Sequence, residues 1–253
     1  MSNEPSKRGK TDLAVLEQID KQLAAEAKSI KEQVSAGGGG PRLTINANGN
    51  WQTPDGAELG PSIRVIVLDF LTRHTWYPHP YQKGNPLPPG CFAVGKVLSQ
   101  MAPDESAPEK QHDTCSGCPM NEWGSAATGN GKACTQRREL AVILEEQAED
   151  LENAEIFVIS LSPTQIKVFD GFARQCERIL NGPPIKAVVS IEAVPVPGAR
   201  YFGVSFVEIA KNENVADHFQ LREEALALLD VLPDTTGYIP SSQKPGKAPA
   251  ARR

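Results

Sequence analysis

Residues 62–71 read SIRVIVLDFL, and this stretch decides the class of fold. Ile63, Val65 and Val67 fall on one face of an extended chain, and Ile66, Leu68 and Phe70 on the other. A short apolar run rich in β-branched residues predicts a strand. On its N-terminal side Leu43, Ile45 and Ala47 alternate and are followed by turn chemistry in Asn48-Gly49-Asn50 and Asp55-Gly56. On its C-terminal side RHTWYPHPYQKGNPLPPG (73–90) holds five prolines and two glycines, which forbid a long regular element.

Further strands are expected over 91–98, 137–144 and 155–161. Ser162-Pro163 then reads as an N-cap followed by proline at the first helical position, predicting a helix to about Leu180 that Asn181-Gly182-Pro183 stops. Residues 185–194 and 201–209 read as an antiparallel pair joined by Pro195-Val196-Pro197-Gly198, and a last amphipathic helix is expected over about 213–232. Many short strands around a few helices predict an α+β domain, with an OB-like antiparallel β-barrel as its core.

The ends are organised differently. Leu13, Leu16, Ile19, Leu23, Ala27, Ile30 and Val34 recur every three or four residues, one face of a helix over 11–34, and Gly37 to Gly40 form a hinge behind it. The expected organisation is a helical arm and hinge (1–40), an OB-like core with a cysteine-bearing loop at 91–136 (41–212), a C-terminal helix (213–232) and a disordered tail (233–253). The arm is expected to dock on its own domain, on a partner or on a second copy of the chain. Its polar face mixes both charge signs, which argues against a membrane surface.

The 253 residues carry a net charge of −5 and no apolar run of the ~18–20 residues a membrane span needs. The opening MSNEPSKRGK does not read as a signal peptide, so an intracellular protein is expected. Residues 145–232 hold fifteen acidic against seven basic groups. This acidity argues against a purely electrostatic, histone-like binder while leaving room for a local basic groove.

Five cysteines without an export signal point away from a disulfide framework and toward metal or free thiols. Cys115-Ser116-Gly117-Cys118 is a CxxC knuckle, with Cys91 before it and Cys134 sixteen residues after it. Cys91, Cys115, Cys118 and Cys134 match a four-thiolate structural zinc site, because thiolates are soft donors and a CxxC turn offers two sulfurs to one ion. His112 is a candidate replacement for one thiolate. A redox pair fits less well, since the knuckle does not open a helix after a buried strand. A catalytic zinc centre would draw on His or carboxylate ligands, and neither HExxH nor HxE…CxxC occurs. Cys176 falls on a helix face and reads as a buried small hydrophobe.

CSGCPMNEWGS (115–125), GNGKACTQRRELAVIL (129–144) and SLSPTQIKVFDGF (160–172) together resemble a family of tailed-bacteriophage proteins. Those proteins combine a zinc-binding cysteine cluster with single-stranded DNA binding. The resemblance covers roughly residues 62–210, and its specific part is the cysteine segment through Arg138. It implies an OB-like barrel, structural zinc, a task in phage DNA replication or recombination beside proteins of those pathways, and the cytoplasm of a bacterial host. The chain departs from the acidic tails common among single-strand binders, since it ends KPGKAPAARR.

Sequence-tolerant binding of single strands needs flat rings for stacking and cations along the phosphates. The expected rings are Trp51, Trp76, Tyr77 and Tyr81. The expected cations are Arg64, Arg73, Lys83, Lys96, Lys132, Arg137 and Arg138, with the acidic 145–232 segment forming the opposite wall. Trp123 is expected to pack on the zinc site, and Phe70 and Phe92 in the core. His74, His79, His112 and His218 are scattered and Asp69 stands alone, so no catalytic constellation emerges and a non-enzymatic protein is expected. The alternative is a zinc-stabilised protein that binds a host or phage protein, with residues 11–34 as the docking element.

Overall fold

The structure, a computed structural model, describes residues 40–82 and 84–243. The chain divides at Gly37/Gly38 into two units, and the expected arm over 11–34 lies outside the described residues. So does the end of the tail, residues 244–253.

The fold is α+β with antiparallel sheets. A small sheet comprises β1 (Thr44–Ile45), β2 (Trp51–Gln52) and β3 (Glu58–Gly60). The main sheet is built on β4 (Ser62–Trp76), which extends the 62–71 stretch by five residues. Around it stand β5 (Cys91–Gly95), β6 (Cys134–Leu144), β7 (Phe157–Leu161), β8 (Ala187–Pro195) and β9 (Phe202–Lys211). The order is β7-β6-β4-β8-β9, with β5 also on β4. Among the described residues β7 and β9 end this path without pairing to each other.

β4 serves two neighbourhoods. Its first half pairs with β8 from Ser62 to Ile66, and its second half pairs with β5 from Thr72 to Trp76. β6 runs along it from Val65 to Trp76, with a bulge between Val67 and Asp69. That bulge resets which side chains face which way beyond Leu68. The segment 73–76 therefore belongs to a strand and not to the proline-rich loop, because β5 and β6 both offer it hydrogen bonds and the first proline comes only at position 78.

Both faces of the sheet are covered. Ile63, Val65 and Val67 pack with Leu140, Val142, Phe157, Ile159 and Ile191 under α1 (Pro163–Leu180). α1 contributes Phe169, Phe172 and Cys176, so Cys176 is the core residue its helical spacing predicts. Its ends are set by a capping box from Ser162 to Gln165 and by Asn181 in the left-handed conformation. On the other face Ile66, Leu68, Ala141 and Ile143 meet Ala225 and Leu229.

The single helix expected over 213–232 is two short ones, α2 (Val215–Gln220) and α3 (Arg222–Leu229), and His218 of α2 is buried with its Nε2 2.9 Å from Ala148 O. Phe92 is buried and Phe70 half-buried against Phe169, as expected.

Residues 233–243 are not a free tail. The Tyr238 hydroxyl donates to the Glu109 carboxylate, which also accepts Ser241 N–H at 3.0 Å and Ser241 Oγ at 2.5 Å. His79 Nε2 lies 3.1 Å from the Pro240 carbonyl oxygen. Among the described residues no helix is long and apolar enough to cross a membrane.

Candidate metal centre and nucleic-acid interface

Sheet register builds the cysteine site. Trp76 at the end of β4 is registered against Cys91 on one side and Cys134 on the other, so β5 and β6 deliver one cysteine each to the same row. The knuckle arrives from the loop between them. Cys115 N–H donates to Met101 O at 2.9 Å, and Met101, Ala93 and Cys115 form a small apolar cluster of their own. Asn121 fixes the other end, donating from Nδ2 to Cys115 O at 3.0 Å and from its backbone to Cys118 O at 2.9 Å. Lys132 Nζ in turn donates to Asn121 Oδ1 at 3.1 Å.

The four cysteines, with His74 and Trp76, line one space of about 20 Å³. A single water-sized body needs about 10–15 Å³, so the room is that of one ion or one water. All four thiols are free. Burial, reinforced by the neighbouring sulfurs, pushes Cys115 up to about 11 and Cys134 up to about 12, and Cys91 is raised as well. Crowded thiols in a buried pocket resist ionisation unless a cation accompanies it.

The donor set is therefore right for a soft dication, and the four expected residues are together. As the side chains stand, however, no group of three or more His, Cys, Asp or Glu among the described residues is arranged to hold a metal ion. Donor chemistry and room fit zinc, while the sulfurs are not closed on one centre.

The histidine at this site is His74 and not the candidate His112. Its Nδ1 lies 3.8 Å from Cys134 Sγ, and its Nε2 is buried without a hydrogen-bond partner. Burial, with help from Lys132, pulls its imidazole down to about 4, so it is neutral at pH 7. His112 is exposed, accepts the Thr114 N–H at 3.1 Å and does not line the pocket. Strand alternation brings His74 there, because it shares a face with Trp76 in β4.

The expected nucleic-acid residues separate into several groups. Trp51 is buried, with its indole N–H donated to Ile191 O at 3.0 Å, so it offers no face for stacking. Trp76 is half-buried, its ring pressed on Gly90, where a Cβ would come within 2.7 Å. Tyr77 and Tyr81 are 49% and 79% exposed and remain available. Trp123 does not pack on the cysteines; it is 78% exposed, with Lys132 Nζ 5.6 Å from its ring centroid.

Four of the expected cations are paired with carboxylates of the protein itself. Arg64 pairs with Glu145, and Arg73 pairs with Glu139 at 3.2 Å while donating to Leu229 O at 2.9 Å. Lys96 pairs with Asp69 at 2.7 Å, and Arg138 pairs with Asp170, its guanidinium carbon 5.3 and 5.5 Å from the ring centroids of Phe70 and Phe169. Carboxylates distant in sequence claim each of them, which no local pattern announces. Lys83 lies outside the described residues. Arg137 is exposed and without an ion-pair partner among the described residues.

Arg137 also lines a groove of about 490 Å³ whose walls come from segments far apart in sequence. The β1–β2 turn, the end of β7, the start of α1 and the β8–β9 hairpin enclose it. Gln165, Arg200, Tyr201 and Phe202 reach it from the acid-rich third of the chain, yet no Asp or Glu lines it. The expected acidic wall is absent there. No family model, curated protein or solved structure matches this chain.

Proposed function

We propose that this protein binds single-stranded DNA without catalysis, in the replication or recombination of a bacteriophage inside its bacterial host. In this reading the antiparallel core is an OB-like platform. Cys91, Cys115, Cys118 and Cys134 hold one structural zinc ion, which organises the loop over 96–133. Zinc would supply cross-linking of that loop and neutralise the thiolates; the chain's own residues would do the binding.

The observation that carries the reading is the Trp123–Lys132 pair beside the knuckle. Large aromatic rings are usually withdrawn from water, yet this ring is 78% exposed, with an ammonium group beside it. A flat face joined to a cation is what a stacked base and its phosphate require. Tyr77 and Tyr81 add two more exposed rings on the proline-rich loop. The resemblance of residues 115–172 to phage single-strand binders points the same way.

The test is a titration with oligothymidine followed by intrinsic tryptophan fluorescence. Trp51 is buried and Trp76 half-buried, so quenching is expected to come mainly from Trp123. Trp123→Ala should weaken binding by about 1–3 kcal/mol. Absence of binding at low salt rejects the proposal.

A further inference from the structure

We infer that the groove between the β1–β2 turn and the β8–β9 hairpin is the path of the strand's sugar–phosphate backbone, an inference that rests on the single-strand reading above. Its residues do not include the Trp123–Lys132 pair and are brought to one groove by the fold.

Arg42, Arg137 and Arg200 line this groove, and no carboxylate does. Its volume of about 490 Å³ lies in the range of sites that enclose a ligand of nucleotide size. In a chain of net charge −5, an arginine-lined groove free of acid is a local reversal of the average. Arg137 and Arg200 are exposed and have no ion-pair partner among the described residues. Arg42 shares Glu139 with Arg73, so two guanidinium groups meet one carboxylate and an excess positive charge remains. Arginine's planar fork suits phosphate oxygens better than a point charge would.

A flat partner for a base stands next to the cations. Tyr201 is 56% exposed and stands between Arg200 and the first residue of β9. The walls are held before any ligand arrives. The Phe202 ring sits on Gly49, where a Cβ would come within 2.8 Å, and Trp51 ties β2 to β8 through its hydrogen bond to Ile191 O. Gln165 is locked by the capping box, its Oε1 accepting the Ser162 N–H at 3.1 Å. Fixed walls reduce the ordering cost of binding.

The experiment uses the full chain and a fluorescent oligothymidine, with affinity measured across salt concentration. For single strands the log–log slope changes by about 0.7 per phosphate contact, so the double variant Arg137→Gln/Arg200→Gln should flatten it by about 1.4. Tyr201→Ala should lower affinity by about 5- to 150-fold at constant slope. The control variant Arg174→Gln/Arg178→Gln removes two exposed cations of α1 that do not line the groove and should leave the slope unchanged. Thermal midpoints matching the parent protein confirm that the variants are folded.

A groove variant that binds with the parent slope and affinity overturns this inference while leaving the single-strand reading intact. A control variant that flattens the slope equally overturns it too. Thymidine monophosphate binding as tightly as the oligomer would mean a free-nucleotide site and overturn the strand path. If the parent protein binds no oligonucleotide, the reading and the inference fall together.

Discussion

Cys91 and Cys134 occupy the same row of the main sheet, each registered against Trp76 from the strand on either side of it. The central strand thus holds apart two cysteines that lie far apart in sequence, and the knuckle at 115–118 comes down to the same pocket. The parent protein should carry one zinc ion in native mass spectrometry. Cys118→Ser should lose it and expose residues 96–133 to limited proteolysis. Cys176→Ala, in the α1 core, should keep the metal. A metal-free protein with unchanged protease resistance contradicts the four-thiolate assignment.

Gly49 supports the groove by having no side chain. Its φ is +83°, a backbone conformation disfavoured for other residues, and the Phe202 ring occupies the space a Cβ would fill. Gly49→Ala should cost about 2 kcal/mol from the left-handed backbone and the clash together. Phe202→Leu in that background should recover only the steric part. Chemical denaturation measures both. An alanine variant as stable as the parent contradicts this packing.

Asp69 ties three elements together. Buried in β4, it accepts from Lys96 just after β5 and from Arg222 at the start of α3, each at 2.7 Å. Burial pushes its carboxyl up, but Lys96, Arg222 and the Phe70 N–H outweigh burial and hold it below the usual range. A depressed carboxylate stabilises the fold above its unfolded value of about 4, and that contribution disappears as pH falls through the lower folded value. Stability should therefore hold near neutrality and decline below about pH 4. Asp69→Asn should cost about 2–4 kcal/mol at pH 7, less than for a wholly enclosed pair because water reaches both cations, and should flatten the acid decline. An unaltered acid profile contradicts this role.

What the sequence makes legible here is what local chemistry dictates. Ser162, Pro163 and Asn181 set the ends of α1 through capping, and the observed helix keeps those bounds. The pairing of Cys115 with Cys118 also follows from a short-range motif, whereas Cys91 and Cys134 reach the same pocket through strand register. The continuation of β4 through Trp76 is hidden because its support comes from β5 and β6, not from its own composition. Arg73 and Arg138 read as free cations until Glu139 and Asp170, placed by strand pairing and helix packing, claim them. Arg42, Arg137 and Arg200 reach one groove only through the tertiary fold. Residues 233–243 carry turn-rich composition and no apolar pattern, yet Glu109 anchors them through Tyr238 and Ser241.

The salt dependence of binding to single- and double-stranded DNA of equal length decides between this account and its rivals. We expect preference for the single strand, with log affinity falling linearly in log salt at about −1.4 to −2.8, the slope for two to four phosphate contacts. No oligothymidine binding at low salt, or equal affinity for the duplex, would contradict it.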